Sequence, residues 1–281
     1  MLKKVFIIIL IVAALLMVLS LFAPKKKTVR FDSIEQHAQS TSLQAGKVAS
    51  DQRKLAVFNQ IEAEDNVRLH MNVGAPEASV RIQAAKRLLP FVKLVVANKQ
   101  LKISISDHPA WHIDTPVQIF IDVPQLEVIK LEDVVQANVR HLSSKSLLVM
   151  IEDAAKLKLQ GSAQQVNARV EDTSSLLASH LKTQTSSIVI EDSGRANIQV
   201  HKALIVSATD SAQLNVTGRV QSAQITANDS AHINAPLLDA QRVDATAGDA
   251  AKVVLGKVQH LTAVRRDGAV ITASNHKDTN E

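Results

Sequence analysis

The chain has 281 residues and a formal net charge of +5, with 46% hydrophobic residues, 2% aromatics and no cysteine. Six basic residues (Lys3, Lys4, Lys25, Lys26, Lys27 and Arg30) and no acids fall within residues 1–30. The rest holds 26 basic against 27 acidic residues, so the body has no basic surplus. With almost no stacking aromatics either, nucleic-acid binding is excluded as a reading, and the lack of cysteine excludes disulfides and thiolate chemistry.

Residues 5–23 (VFIIILIVAALLMVLSLFA) carry no charge. As a helix they would be about 28 Å long, enough to cross a bilayer core of roughly 30 Å. Residues 1–27 are therefore expected to be a transmembrane anchor or signal segment, with the lipid bilayer as first partner. A cleaved signal peptide is the competing reading, but residues 20–23 (SLFA) match a small-x-small site poorly, and Pro24 with three lysines is a poor start for a mature chain. Positive charge on both flanks leaves the orientation open, the larger cluster favouring a cytoplasmic body and the length of the body permitting export. The expectation adopted is a single-pass inner-membrane protein with a periplasmic body.

Residues 28–54 are rich in Ser, Thr, Gln and Ala and are expected to be a polar spacer. Residues 55–123 switch to period-two alternation: Val67, Leu69, Met71 and Val73; Val80 and Ile82; Leu101, Ile103 and Ile105; Val117, Ile119, Ile121 and Val123. Turn signals at Gly74-Ala75-Pro76, Ala97-Asn98-Lys99 and Asp107-His108-Pro109 separate these half-buried strands, and residues 86–89 before Pro90 suit one helical turn. The region is predicted to be a β cap.

From residue 124 to 273 an acidic turn recurs at Asp133, Asp153, Asp172, Asp192, Asp210, Asp229, Asp249 and Asp267, every 18 to 20 residues. Taking the sites four and two residues before each Asp, and four and six after it, only Arg265 of 32 is not apolar. That pattern predicts an all-β parallel β-solenoid of about eight coils, each with three short strands and three corners. Small aliphatic residues suit its narrow interior. Gly161, Gly218 and Gly256 are expected at a second corner, and a polar tail follows at 274–281.

Carboxylates stacked about 5 Å apart repel, and an Asx-type turn, with each carboxylate accepting from the N–H groups just after it, would offset this. A cation-binding ladder is the alternative, weakened by the absence of a glycine-rich calcium nonapeptide and by acids at the preceding position in only some coils (Glu132, Glu152, Glu171, Glu191). The Asp ladder is thus expected to be structural.

Phe58-Asn59-Gln60-Ile61, the alternating Val67 to Val73, Leu101-Lys102-Ile103, Pro124-Gln125-Leu126 and the recurring Asp-Ser turns together resemble the head GIN domain family, bacterial envelope proteins described as putative auto-transporter adhesin heads. The resemblance covers about residues 55–273 and implies export and a β-solenoid. The family turn is richer in glycine than the turns here.

No catalytic, cofactor or metal-ligating set is expected. His108 and His112 flank a loop containing Trp111, and His141, His180, His201, His232 and His260 are scattered among outward positions. The function class expected is a membrane-tethered, exported binding, adhesion or scaffolding module. Its possible partners are a second copy, an envelope protein or a polysaccharide. A carbohydrate-active β-helix enzyme and a cytoplasmic, bactofilin-like polymer remain the alternatives.

Overall fold

The computed structural model describes residues 47–105 and 115–274. The apolar segment at 5–23, most of the polar spacer, the loop carrying His108, Trp111 and His112, and the polar tail from residue 275 lie outside the described residues. Among the described residues, no helix is long and apolar enough to cross a membrane. Apart from a 3-10 turn at Leu89–Phe91, the regular structure of the described residues is β. That turn contains Pro90 instead of preceding it, in keeping with the tolerance of a first helical turn for a residue lacking an N–H.

Seven long strands dominate: β9 (Gln136–Ile151), β10 (Lys156–Val170), β11 (Ser175–Ile190), β12 (Arg195–Ala208), β13 (Gln213–Ala227), β14 (His232–Ala247) and β15 (Lys252–Arg265). Each pairs in parallel with the next, so that Leu157 lies between Ala137 and Leu176. The eight Asp corners bound seven intervals, and the solenoid has about seven turns where eight coils were expected. At about 4.8 Å per turn it is roughly 34 Å long.

Each coil is one continuous strand bent away from the Asp corner, not three short strands. The bends hold the register shifts, between Leu159 and Gly161, Val200 and Ala203, and Ala235 and Asp239. Bulges absorb differences in coil length there without breaking the ladder. Gly161 and Gly218 sit at this bend with φ near +129° and +124°. An added Cβ would lie 2.2 Å and 2.0 Å from carbonyl oxygens of the neighbouring coil. Gly256 needs no positive φ; its constraint is the Leu238 carbonyl, 2.3 Å from a Cβ.

The four apolar columns read from the sequence point inward and are buried in every coil but the last. A fifth column, two residues after each corner, holds Val135, Ala155, Ser174, Gly194, Ala212, Ala231, Ala251 and Ala269. Its small side chains let the chain turn tightly over the core. Each fully buried Val, Ile or Leu contributes about 1.5–3 kcal/mol of transfer free energy.

The N-terminal region does more than cover an end. It comprises β1 (Val48–Arg53), β2 (Gln60–Ala63), β3 (Val67–Val73), β4 (Ser79–Ala85), β5 (Val92–Ala97), β6 (Gln100–Ile105) and β7 (Val117–Val123), followed by β8 (Val128–Leu131). β2 pairs in parallel with β6 on one side and β8 on the other, and β3 likewise lies between β7 and β9. The β2–β3 level is therefore a coil of the solenoid, with β6 and β7 stacked outside it. The chain runs outward and then returns across β2 to start β8. Only β4, β5 and β1 are antiparallel additions. The β5–β6 hairpin turns through Asn98 and Lys99, both with positive φ, as a type I′ turn requires. β1 also shortens the expected 28–54 spacer, because Val48–Arg53 pairs with β4.

At the other end, β16 (Val270–Ala273) covers only Lys252 to Leu255 of β15. The second half of β15 pairs with β14 alone, and Ala263 and Arg265, on inward columns, are exposed there. An inward-pointing charge at a sheet edge opposes edge-to-edge pairing.

Candidate functional site: an acidic corner and a polar groove

All eight corner aspartates have φ between +51° and +60°, the left-handed region. Asp and Asn enter it more readily than other side-chain-bearing residues. Each corner is a hydrogen-bonded β-turn closed from three residues on, as in Val135 N–H to the Glu132 carbonyl at 3.3 Å and Ala155 N–H to the Glu152 carbonyl at 3.1 Å. The last corner differs, since Asp267 and Gly268 both have positive φ.

The carboxylates do not accept from the N–H groups that follow them, as an Asx turn would require. Five of the eight, Asp133, Asp153, Asp172, Asp229 and Asp249, accept instead from the backbone N–H of the aspartate one level earlier. Asp133 donates to Asp153 Oδ2 at 3.0 Å, Asp153 to Asp172 Oδ2 at 3.1 Å, Asp210 to Asp229 Oδ2 and Asp229 to Asp249 Oδ2, both at 3.4 Å. A parallel stack places the N–H of one level beside the side chain of the next, so the ladder supplies its own donors. The series also extends backward to Asp65, at φ +73°, which the 19-residue spacing did not reveal. Its N–H donates to Asp133 Oδ2 at 2.8 Å, and its own Oδ2 accepts from Ile105 N–H at 2.7 Å.

Beside the aspartates runs a second acidic row of Glu64, Glu132, Glu152, Glu171 and Glu191. Lys102, Lys130 and Arg169 partly neutralise it. Lys102 Nζ lies 3.3 Å from Glu62 and 3.4 Å from Glu64, Lys130 pairs with Glu132, and Arg169 pairs with Glu171 and, at 2.7 Å, with Glu191. Burial raises the pKa of Glu152, and the charges of Glu171, Glu132 and Asp153 raise it further against Lys130. Burial likewise raises Glu191, with Glu171 and Asp192 adding to it against Arg169. Burial works against the Lys130 ammonium, but Glu132, Glu152 and Glu62 outweigh it and hold its pKa above the ordinary value.

Among the described residues, no group of three or more His, Cys, Asp or Glu side chains is placed to share a metal ion. The five histidines placed on outward positions, His141, His180, His201, His232 and His260, are all exposed and lie at different levels. No described serine pairs with a histidine.

A recess lies elsewhere on the coils. An open groove of about 1000 Å³ runs along the solenoid from Gln125–Val128 across β9, β10 and β11 to His201 of β12. Ser144, Lys145, Ser162, Gln164, Lys182 and Gln184 supply much of its lining, and no Phe, Tyr or Trp is among the described lining residues. Beneath it, Thr183 and Ser186 occupy buried positions and hydrogen-bond at 2.9 Å, with Thr183 Oγ1 also donating to the Gln199 carbonyl. This groove carried no repeat signal, because the bend varies in length and composition from coil to coil.

A smaller recess of about 300 Å³ surrounds Phe120 on the outer face of β3 and β7. The His70 ring stacks on Phe120 at 4.8 Å, and the Arg81 guanidinium lies 4.1 Å from the Phe120 centroid. Asn197, Asn215 and Asn234 form an amide ladder on another outward column, at 2.7 and 3.0 Å.

A family model described as "Putative auto-transporter adhesin, head GIN domain" matches residues 57–207. A search of curated proteins returns no match. Among solved structures, the fold is similar to a putative adhesin from Parabacteroides merdae ATCC 43184, 17% identical, with a TM-score of 0.65 over 82% of this chain and 97% of that one. It is also similar to a protein from Parabacteroides distasonis ATCC 8503 described as a putative lipid binding protein, 10% identical, with a TM-score of 0.54 over 82% of this chain and 98% of that one. At these identities the likeness is one of fold.

Proposed function

Since the chain belongs to the head GIN domain family of putative auto-transporter adhesins, we propose that it is an exported, membrane-tethered solenoid that binds or scaffolds other components of the bacterial cell envelope. The observation that carries this reading is the groove, which crosses successive coils along the rod and presents hydroxyl, amide and ammonium groups without any acid–base pair or nucleophile converging on one point. Such a surface suits an extended partner. Catalysis needs a small set of groups aimed at one reacting atom.

The uncharged segment at 5–23 with its basic flanks supports tethering, and the family description supports export. The corner aspartates serve as turn residues in this reading, because all eight share the left-handed backbone conformation.

The test is in-cell photocrosslinking from single outward positions. A crosslinker at Gln164, in the groove, is expected to give a discrete adduct, while one at Gln213, on a different outward column, gives none. Equal labelling from both positions, or none from any outward position, would contradict a binding role for the groove.

A further inference from the structure

We propose that copies of this chain associate side by side, with the acidic corner of one rod seated along the groove of the next. The proposal goes beyond the binding role above by naming the occupant as a second copy. Charge segregation, matched length and a common period carry it.

The first is charge segregation around the coil. Of the 15 acidic residues between residues 124 and 273, twelve are at the Asp corners or immediately before them. Half a coil away the sign reverses. Lys145, Lys182, Lys202, Arg219, Arg242 and Lys257 are all exposed at the bend. His201 lies nine residues after Asp192 and nine before Asp210, so this side lies about midway round the coil from the corners. The reversal is incomplete. Glu127 lines the groove, and Asp239 pairs with Arg219 at 3.1 Å. Lys130 and Arg169 sit among the acids of the corner.

The second is matched length. The groove crosses five successive levels, from Gln125–Val128 to His201. The corner carries two acids per level over five levels, Glu64-Asp65, Glu132-Asp133, Glu152-Asp153, Glu171-Asp172 and Glu191-Asp192. Beyond them the second acid is replaced by Thr209, Asn228, Gly248 and Arg266.

The third is a common period. Corner and groove belong to the same stack, with a spacing of about 4.8 Å per level, and the two groove lysines, Lys145 of β9 and Lys182 of β11, lie two levels apart. The two groove lysines of one copy can therefore each face a corner level of the other, two levels apart, at the shared spacing. The two surfaces differ and lie on opposite sides of one rod, so the contact is heterologous and each rod retains a free corner and a free groove, which builds open rows.

The experiment is sedimentation of the full chain in a non-ionic detergent at low and high salt. The wild type is expected to associate at low ionic strength and to weaken about tenfold or more when the Debye length falls from roughly 30 Å to 3 Å. Two charge reversals at exposed or half-exposed positions, Lys145→Glu with Lys182→Glu in the groove and Glu152→Lys with Glu191→Lys at the corner, should each give monomers with unchanged circular dichroism. Mixed in equal amounts they should form one-to-one dimers, because the first keeps an acidic corner and the second a basic groove. A wild type that stays monomeric at low salt, a reversal that still associates, or a mixture that does not pair would overturn the proposal. So would a monomeric wild type that binds polygalacturonate, which would give the groove to an acidic polysaccharide and leave the binding role standing.

Discussion

The backbone N–H of Asp65 donates to the carboxylate of Asp133 at 2.8 Å, although 68 residues separate them. Between the two, the chain leaves the stack, builds β4 to β7, and returns to the level next to the one it left. The corner ladder thus begins in the region expected to be a cap and fastens that region to the repeats. Replacing Asp65 with Ala should remove the acceptor of Ile105 N–H. Hydrogen exchange would show faster exchange at Ile105 and across β6, with β12 to β15 unaffected.

The corner aspartates combine a left-handed backbone with an acceptor for the previous level. Asp153→Asn keeps both properties and should be nearly neutral. Asp153→Gly keeps the backbone freedom and loses the acceptor, costing about 1 kcal/mol. Asp153→Ala loses both and should cost about 2–3 kcal/mol. Urea titration of the three variants checks the order Asn, Gly, Ala. Equal losses would show that the backbone conformation is not the constraint.

Gly161 is held by geometry of another kind. Its Cβ would meet the Leu142 carbonyl at 2.2 Å, in a backbone conformation that L side chains rarely adopt. Gly161→Ala should cost more than about 2 kcal/mol, or prevent folding. At Gly248, with no positive φ, the nearest atom to a Cβ is Asn228 Oδ1 at 3.0 Å, the end of a side chain. Gly248→Ala should therefore be far milder. Thermal melts of the two variants make the comparison.

Glu152 and Glu191 have raised pKa values in the folded chain, first through burial and then through their acidic neighbours. The native state therefore takes up protons before the unfolded state as pH falls through the folded pKa toward the ordinary carboxylate value. Stability should rise across that window, and the two carboxylates should lower it at neutral pH. Glu152→Gln is expected to raise the melting temperature at pH 7 by about 1–2 °C, a small gain because solvent screens the site, and to shrink the rise seen on acidification. A lower melting temperature at pH 7 would contradict the sign.

Much of the solenoid was legible because its inward columns are strict. Ile129, Leu131, Ala137 and Val139 around Asp133 have counterparts at the other corners, and burial holds them apolar. The same pattern surrounds Asp65, with Ile61, Ala63, Leu69 and Met71 at the matching sites. It was hidden because β4 to β7 interrupt the period. The direction of the carboxylate hydrogen bonds could not be read from spacing, since it depends on how one level sits over the next. The groove was illegible for a different reason: Ser144, Gln164 and Lys182 face solvent at a bend whose length changes from coil to coil. No burial constraint imposes a residue type on them.

Export of the rod and its tethering at the membrane are tested most directly by a reporter fused after Glu281. Alkaline phosphatase, active only after export, is expected to be active there and to fractionate with membranes, while deletion of residues 5–23 abolishes both. Activity confined to a cytoplasmic reporter at the same position would contradict the account.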